Sequence, residues 1–138
     1  MPTPIRIVLV DDHKLIRDSW KHLFNRDERF EVTGLSADGI EAFNLITTDP
    51  PDIVLMDISM TPMNGLEATR KILGTLPEMK IIGISTNNNP RYADKMLELG
   101  ARGYVTKTST FDEVKQSILE VMEGRIFVCE EITRQRKN

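Results

Sequence analysis

Apolar and polar positions alternate in blocks along this chain, with short apolar bursts giving way to longer amphipathic stretches. "IRIVLV" (Ile5–Val10) is a continuous apolar run of the kind a strand buried on both faces carries, and it ends in Asp11-Asp12. "HKLIRDSWKHLF" places Leu15, Ile16, Trp20, Leu23 and Phe24 near helical spacing. "FEVTGL" then alternates as a strand does. Asp38, with Glu41 three residues on, reads as a capping box opening a helix that carries Ile40, Phe43, Leu45 and Ile46 and stops before Pro50-Pro51. "DIVLMD" is the third strand, and a helix from Gly65 to Leu76 follows, ended by Pro77. "KIIGIS" is the fourth strand. The next helix begins near Pro90, where proline suits a first turn, and ends at Gly100. "GYVT" is a short fifth strand. Thr110 and Glu113 make a second capping box, and Gly124 closes the last helix.

Five strands, each followed by a helix, predict an α/β fold: a doubly wound (βα)5 parallel sheet with helices on both faces. Right-handed crossovers leave few topologies, among which the strand order 2-1-3-4-5 leads. In such sheets ligands sit beyond the carboxyl ends of the strands, where the order reverses.

Composition narrows the function. The chain has 138 residues, 40% of them hydrophobic and 28% charged, which fits one soluble domain with a proper core. A net charge of -3 creates no field for nucleic acid or an anionic membrane, and the basic "TRQRKN" reads as a solvated terminus. No apolar run approaches the roughly 20 residues that cross a bilayer, and the start lacks the features of a signal peptide. The single cysteine, Cys129, cannot form an internal disulfide and reads as a small apolar residue in a short strand. The expectation is a cytoplasmic protein with no membrane association.

The strand ends carry the chemistry. The first strand delivers Asp11 and Asp12, the third Asp57, the fourth Ser85, and the fifth leads into Lys107; the second, at the sheet edge, offers nothing comparable. Each residue alone has an ordinary explanation, Asp12 as a helix cap and Ser85 as a turn hydroxyl. Together they converge on one edge of one sheet. Carboxylates held close repel one another, so they take up protons or bind a cation, and Mg2+ suits a site offering one or two of them. Lys107 adds a point charge for a phosphoryl oxygen and Ser85 a hydroxyl donor, company that suits Asp57 as a nucleophile accepting a phosphoryl group.

On "VLVDDH", "DIVLMDISM", "MNGLEATRKI", "IIGIS" and "GARGYVTK", the sequence from about Ile5 to Glu123 resembles the receiver domain of a bacterial two-component response regulator, closest to those of NarL/LuxR-type transcription regulators. The resemblance implies a flavodoxin-like fold in which Asp57 takes a phosphoryl group from a sensor histidine kinase. It implies that Asp12, Asp57 and the Ser59 backbone carbonyl ligate Mg2+ (or Mn2+ in its place), with Asp11 acting through metal-bound water. Lys107 would pair with the phosphoryl group or Asp57, Ser85 would move to bond a phosphoryl oxygen, and Tyr104 would be the aromatic switch whose ring turns inward. Ser59 and Asn87 fall where the family tunes hydrolysis rate. The output surface would be the fourth helix, fifth strand and fifth helix. The resemblance implies a switch that catalyses only its own phosphorylation and dephosphorylation, and a homodimer promoted by phosphorylation.

This chain departs from the family in three places. Thr61 follows Met60 where proline is usual, with Pro62 one place later; Thr108 follows Lys107, again where proline is usual; and "STNNNPRYADKM" suggests a shifted start to the fourth helix. Residues 1–124 are expected to form the receiver, with 125–138 as the start of a linker to an output domain absent from this chain, through which alone DNA would be bound. A stand-alone receiver acting by protein contact is the alternative. A haloacid-dehalogenase-type phosphatase would need a second Asp where Ser59 stands, and a flavin-binding module would need a phosphate loop where "VDDHK" puts two acids.

Overall fold

The computed structural model describes residues 3–60, 63–86 and 88–136. The elements, in order, are β1 (Ile5–Val10), α1 (Lys14–Asn25), β2 (Phe30–Ser36), α2 (Gly39–Thr48), β3 (Ile53–Asp57), α3 (Gly65–Thr75), β4 (Lys80–Ser85), α4 (Pro90–Leu99), β5 (Gly103–Thr106), α5 (Phe111–Met122), β6 (Phe127–Val128) and α6 (Glu130–Arg136). The described strands form one parallel sheet ordered β2-β1-β3-β4-β5-β6. The predicted order is therefore present, extended by one strand beside β5.

Burial explains the apolar bursts. Ile7 to Val10, Ile53 to Met56, Ile81, Ile82 and Ile84 are buried, as strands covered on both faces require. Phe24 of α1 meets Phe30 of β2 and Phe111 of α5 at centroid separations of 5.4 and 4.9 Å, so ring packing ties α1 to α5. On the opposite face α2, α3 and α4 pack in series, and α6 continues the row beside α4.

The apolar stripes are narrower than expected. In α1 Trp20 and Phe24, four residues apart, pack into the core, with Ile16 half-buried one turn earlier; Leu15 and Leu23 rotate outward and are 81% and 38% exposed. Ile40 in α2 is likewise 52% exposed.

The helix starts follow their side chains. Asp38 accepts the Glu41 N–H at 2.8 Å, Asn64 that of Glu67 at 2.9 Å, and Thr110 that of Glu113 at 3.1 Å. Asp38→Ala should therefore cost about 1 kcal/mol in a urea denaturation, and an unchanged midpoint would show that water replaces the cap. Asp12 does not cap α1: the cap position belongs to His13, without a side-chain cap bond. Gly100, at φ 111°, ends α4 as predicted.

The sheet's register places the site. Val10 pairs with Met56, Asp57 with Ile84, and Ser85 with Thr106, so the strand ends reach one edge together.

Candidate functional site

At that edge Asp57 is fully buried and Asp11 nearly so, while Asp12 is exposed. The Lys107 ammonium lies 2.9 Å from Asp11 Oδ2 and 3.3 Å from Asp57 Oδ2, with its own side chain only 8% exposed. Its backbone is fixed by its N–H, which donates to the Ser85 carbonyl at 2.8 Å. Asp57 Oδ1 accepts the Ser59 N–H at 3.0 Å, closing an Asx turn at the end of β3. Asp11, Asp12, Asp57 and His13 each present a ligand atom, all within 4.8 Å of one another.

These carboxylates do not titrate alike. Burial, joined by the charge of Asp11, raises Asp57 above the usual carboxylate range, against the Ser59 N–H and Lys107. For Asp11 burial pushes upward too, but the His13 backbone N–H at 2.8 Å and the Lys107 ammonium outweigh it and hold its carboxyl below that range. The two neighbours thus diverge because the His13 N–H and the nearer approach of Lys107 favour the Asp11 charge, while burial and that same charge oppose ionisation of Asp57.

Ser85 is fully buried at the end of β4, and its side chain hydrogen-bonds the hydroxyl of Tyr104. The Tyr104 ring is itself fully buried, and burial pushes its phenol up to about 12. Opposite Tyr104 in the ladder stands Gly83, where a Cβ would come within 3.0 Å of the ring, so the missing side chain makes room for it.

The structure thus brings together Asp11, Asp12, Asp57 and Lys107, with Ser59 and Ser85 adjoining and Tyr104 joined through Ser85. Asn87, Thr61 and Pro62 lie outside the described residues. His13 has no role in the sequence reading, yet its Nδ1 stands 3.0 Å from Asp11 Oδ1, 3.1 Å from Asp12 Oδ1 and 3.3 Å from Lys107 Nζ. Its place directly after the acidic pair was the available signal. Arg17, also unforeseen, donates to the Asp11 carbonyl at 2.7 Å from one turn into α1.

The model of the response regulator receiver domain matches residues 7–119, a span that includes the strand ends just described. This chain belongs to that family. The receiver domain is a signalling switch of two-component systems, and an aspartyl phosphoacceptor is standard in the family. The transcriptional regulatory protein DegU of Brevibacillus brevis is 33% identical to this receiver over 129 residues, 94% of this chain and 55% of that one. The oxygen regulatory protein NreC of Staphylococcus epidermidis is 33% identical over 135 residues, 97% of this chain and 62% of that one. The receiver therefore spans little more than half the length of these relatives. A crystal structure of a LuxR-family two-component response regulator from Aurantimonas sp. SI85-9A1 matches with a TM-score of 0.92 and 35% identity, covering 96% of this chain and 94% of that one.

The short strand expected around Cys129 is present as β6, ends one residue before it, and joins the sheet as a sixth strand beyond the five counted. Phe127 and Val128 pair with Gly103 and Tyr104, and the buried Cys129 continues the ladder by donating its N–H to the Tyr104 carbonyl at 3.0 Å. From there α6 lies against α4 and β5, with Ile132 fully buried. Part of the surface assigned to output is thus covered by this chain's own helix. Among the described residues, no helix is long and apolar enough to cross a membrane.

Proposed function

We propose that Asp57 of this receiver takes a phosphoryl group from the phosphohistidine of a sensor histidine kinase. The observation that carries the reading is the Lys107 ammonium lying between two buried carboxylates on neighbouring strand ends. An Asp57 oxygen attacks phosphorus, the P–N bond breaks, and the kinase imidazole leaves with the electron pair. Attack by water later returns the carboxylate and inorganic phosphate. Both steps are self-catalysed, which makes the domain a switch.

Three carboxylates lie within 4.8 Å of one another and only two of them pair with Lys107, so the donor set suits an added hard cation. Asp12, Asp57 and the Ser59 carbonyl would hold Mg2+ or Mn2+, with Asp11 acting through bound water. When bound, the cation supplies positive charge to offset the incoming phosphoryl oxygens. Lys107 pairs with one of those oxygens, and the Ser85 hydroxyl turns to donate to another. That turn would alter the bond from Ser85 to Tyr104, so Tyr104 reads the chemistry and passes it to α4, β5 and α5. Ser59 and Asn87 tune the hydrolysis rate. Ser59 offers a backbone N–H to Asp57 and no carboxylate, which speaks against dehalogenase-type phosphatase chemistry.

For the whole protein, the length of the relatives supports a LuxR-type DNA-binding output domain joined through residues 125–138, with receiver dimerisation controlling it in the cytoplasm. DNA would be bound only through that domain. A receiver acting alone by protein contact is the competing arrangement.

Incubation with acetyl phosphate, followed by intact-mass measurement, tests the reading. One phosphoryl adduct should form with Mg2+ and almost none with a chelator. If neither acetyl phosphate nor beryllofluoride engages the protein, the phosphoacceptor role is wrong.

A further inference from the structure

Lys107 is flanked by two threonines, and both hydroxyls end on the same carboxylate. Thr106 Oγ1 and Thr108 Oγ1 each donate to Glu131 Oε2 at 2.8 Å, and Asn88 Nδ2 donates to Glu131 Oε1 at 3.0 Å. One side chain of α6 thereby joins the turn carrying Lys107 to the loop that follows Ser85. These hydrogen bonds to an ionised acceptor are the strong kind, and they hold the Glu131 carboxyl below its ordinary range.

The carboxylate is delivered by a docked helix. Ile132 beside it is fully buried, the Glu130 N–H donates to Glu113 Oε2 of α5 at 3.1 Å, and Arg136 pairs with Asp94 of α4. The turn closes around the contact, with Thr106 Oγ1 3.0 Å from Thr108 Oγ1 and the Ser109 N–H donating to the Thr106 carbonyl at 3.0 Å. Lys107 is a long flexible side chain whose ammonium must meet two buried carboxylates at once, so the placement of its backbone decides whether it does. Thr108 is also where the turn lacks the proline usual in the family, and here its hydroxyl is held from outside.

We propose that Glu131 is a positioning residue for phosphorylation at Asp57, acting through Thr106 and Thr108 on the turn that presents Lys107. The inference rests on the phosphoacceptor reading above. It makes α6 a working part of the site, and by reciprocity whatever moves this turn on phosphorylation changes how firmly α6 is docked.

The test compares Glu131→Ala, Thr108→Val, their combination and Arg136→Ala, which loosens α6 at a contact remote from Lys107. Adduct formation from limiting acetyl phosphate with Mg2+ should slow about tenfold in Glu131→Ala, less than the roughly hundredfold that a full 1 Å misplacement can cost. The double variant should be no slower than Glu131→Ala alone, because both changes break one network. Arg136→Ala, which leaves the Glu131 hydrogen bonds in place, should slow the reaction less than Glu131→Ala. A wild-type rate in Glu131→Ala, additive losses in the double variant, or equal slowing by Arg136→Ala would each overturn the proposal. Should Glu131→Ala fail to fold, Glu131→Gln keeps one carbonyl acceptor and should give an intermediate rate; a wild-type rate there counts against the idea. If wild type itself forms no adduct, the phosphoacceptor reading fails, and hydrogen exchange decides the positioning claim. The Lys107 and Ser109 amides should exchange faster in the Glu131 variant while those of β3 do not, and unchanged exchange would refute it.

Discussion

Asp57→Asn will form no adduct with acetyl phosphate and, in metal-free buffer at pH 7, will be more stable than wild type. The first effect follows from replacing a nucleophilic carboxylate with an amide. The second comes from the carboxylate's surroundings: Asp57 is fully buried, and its ionisation is opposed by burial and by the charge of Asp11. A group whose folded pKa is raised costs nothing below about pH 4, where folded and unfolded chains both hold the proton. As pH rises through the folded pKa, the native state must ionise at a penalty, and stability is lost. The asparagine avoids that penalty while its carbonyl can still accept the Ser59 N–H.

The expected gain is a higher melting temperature at pH 7 that shrinks toward zero near pH 4. Asp11 has the opposite sign: its lowered pKa contributes stability at neutral pH that is lost as pH falls through the folded value. Both carboxylates share Lys107, so the difference between the melting curves reports the loss of the Asp57 carboxylate together with the response of Asp11. Mg2+ should narrow the gap by binding wild type more tightly. Thermal melts from pH 4 to 8 with chelator decide the matter. A variant less stable at pH 7 would mean that the attraction of Lys107 exceeds the cost of burial.

How much of this was legible in the sequence depends on the range of the signal. Asp57 and Asp11 could be read because a buried parallel strand is a continuous apolar run, so the first acid after it must emerge at the sheet edge. Lys107 was legible for the same reason. The stripe of α1 was misjudged at Leu15 because a helix face is set by which residues its neighbours cover, here Phe30 and Phe111. A short strand near Cys129 was legible, but its pairing with β5 and the docking of α6 were not. Two residues cannot display a period, and "EEITRQR" has one apolar position, Ile132. Its placement comes from single long-range contacts, Glu131 to Thr106 and Arg136 to Asp94, which leave no periodic trace. The pairing of Ser85 with Tyr104 is intermediate: the register of β4 and β5 follows from the fold, but the space for the ring depends on Gly83.

Gly65→Ala should do the most damage for one added methyl. A Cβ at Gly65 would lie 2.3 Å from the Asp57 carbonyl oxygen and 2.5 Å from Ile58 Cα, closer than such atoms can approach. The obstruction is main chain at the end of β3, with no flexible side-chain tip to swing aside. Gly65 also donates its N–H to the Ile58 carbonyl at 3.3 Å, so the first residue of α3 rests directly on the segment that presents Asp57. Ala68, Thr69 and Ile72 bury α3 against the sheet, which keeps the helix from simply backing away. Strain must then move the end of β3, and with it the 3.0 Å bond from Ser59 and the 3.3 Å approach of Lys107. Overpacking of this kind should cost about 2–4 kcal/mol, and displacing the nucleophile should slow adduct formation about a hundredfold. Gly74, in the same helix with nothing within 4 Å of its would-be Cβ, is the control: Gly74→Ala should stabilise by about 0.5–1 kcal/mol and leave the rate alone. Urea denaturation and intact-mass kinetics on both variants separate the contributions. Near-wild-type behaviour of Gly65→Ala would mean that α3 can shift independently of the strand end, and that the close approach does not set the position of Asp57.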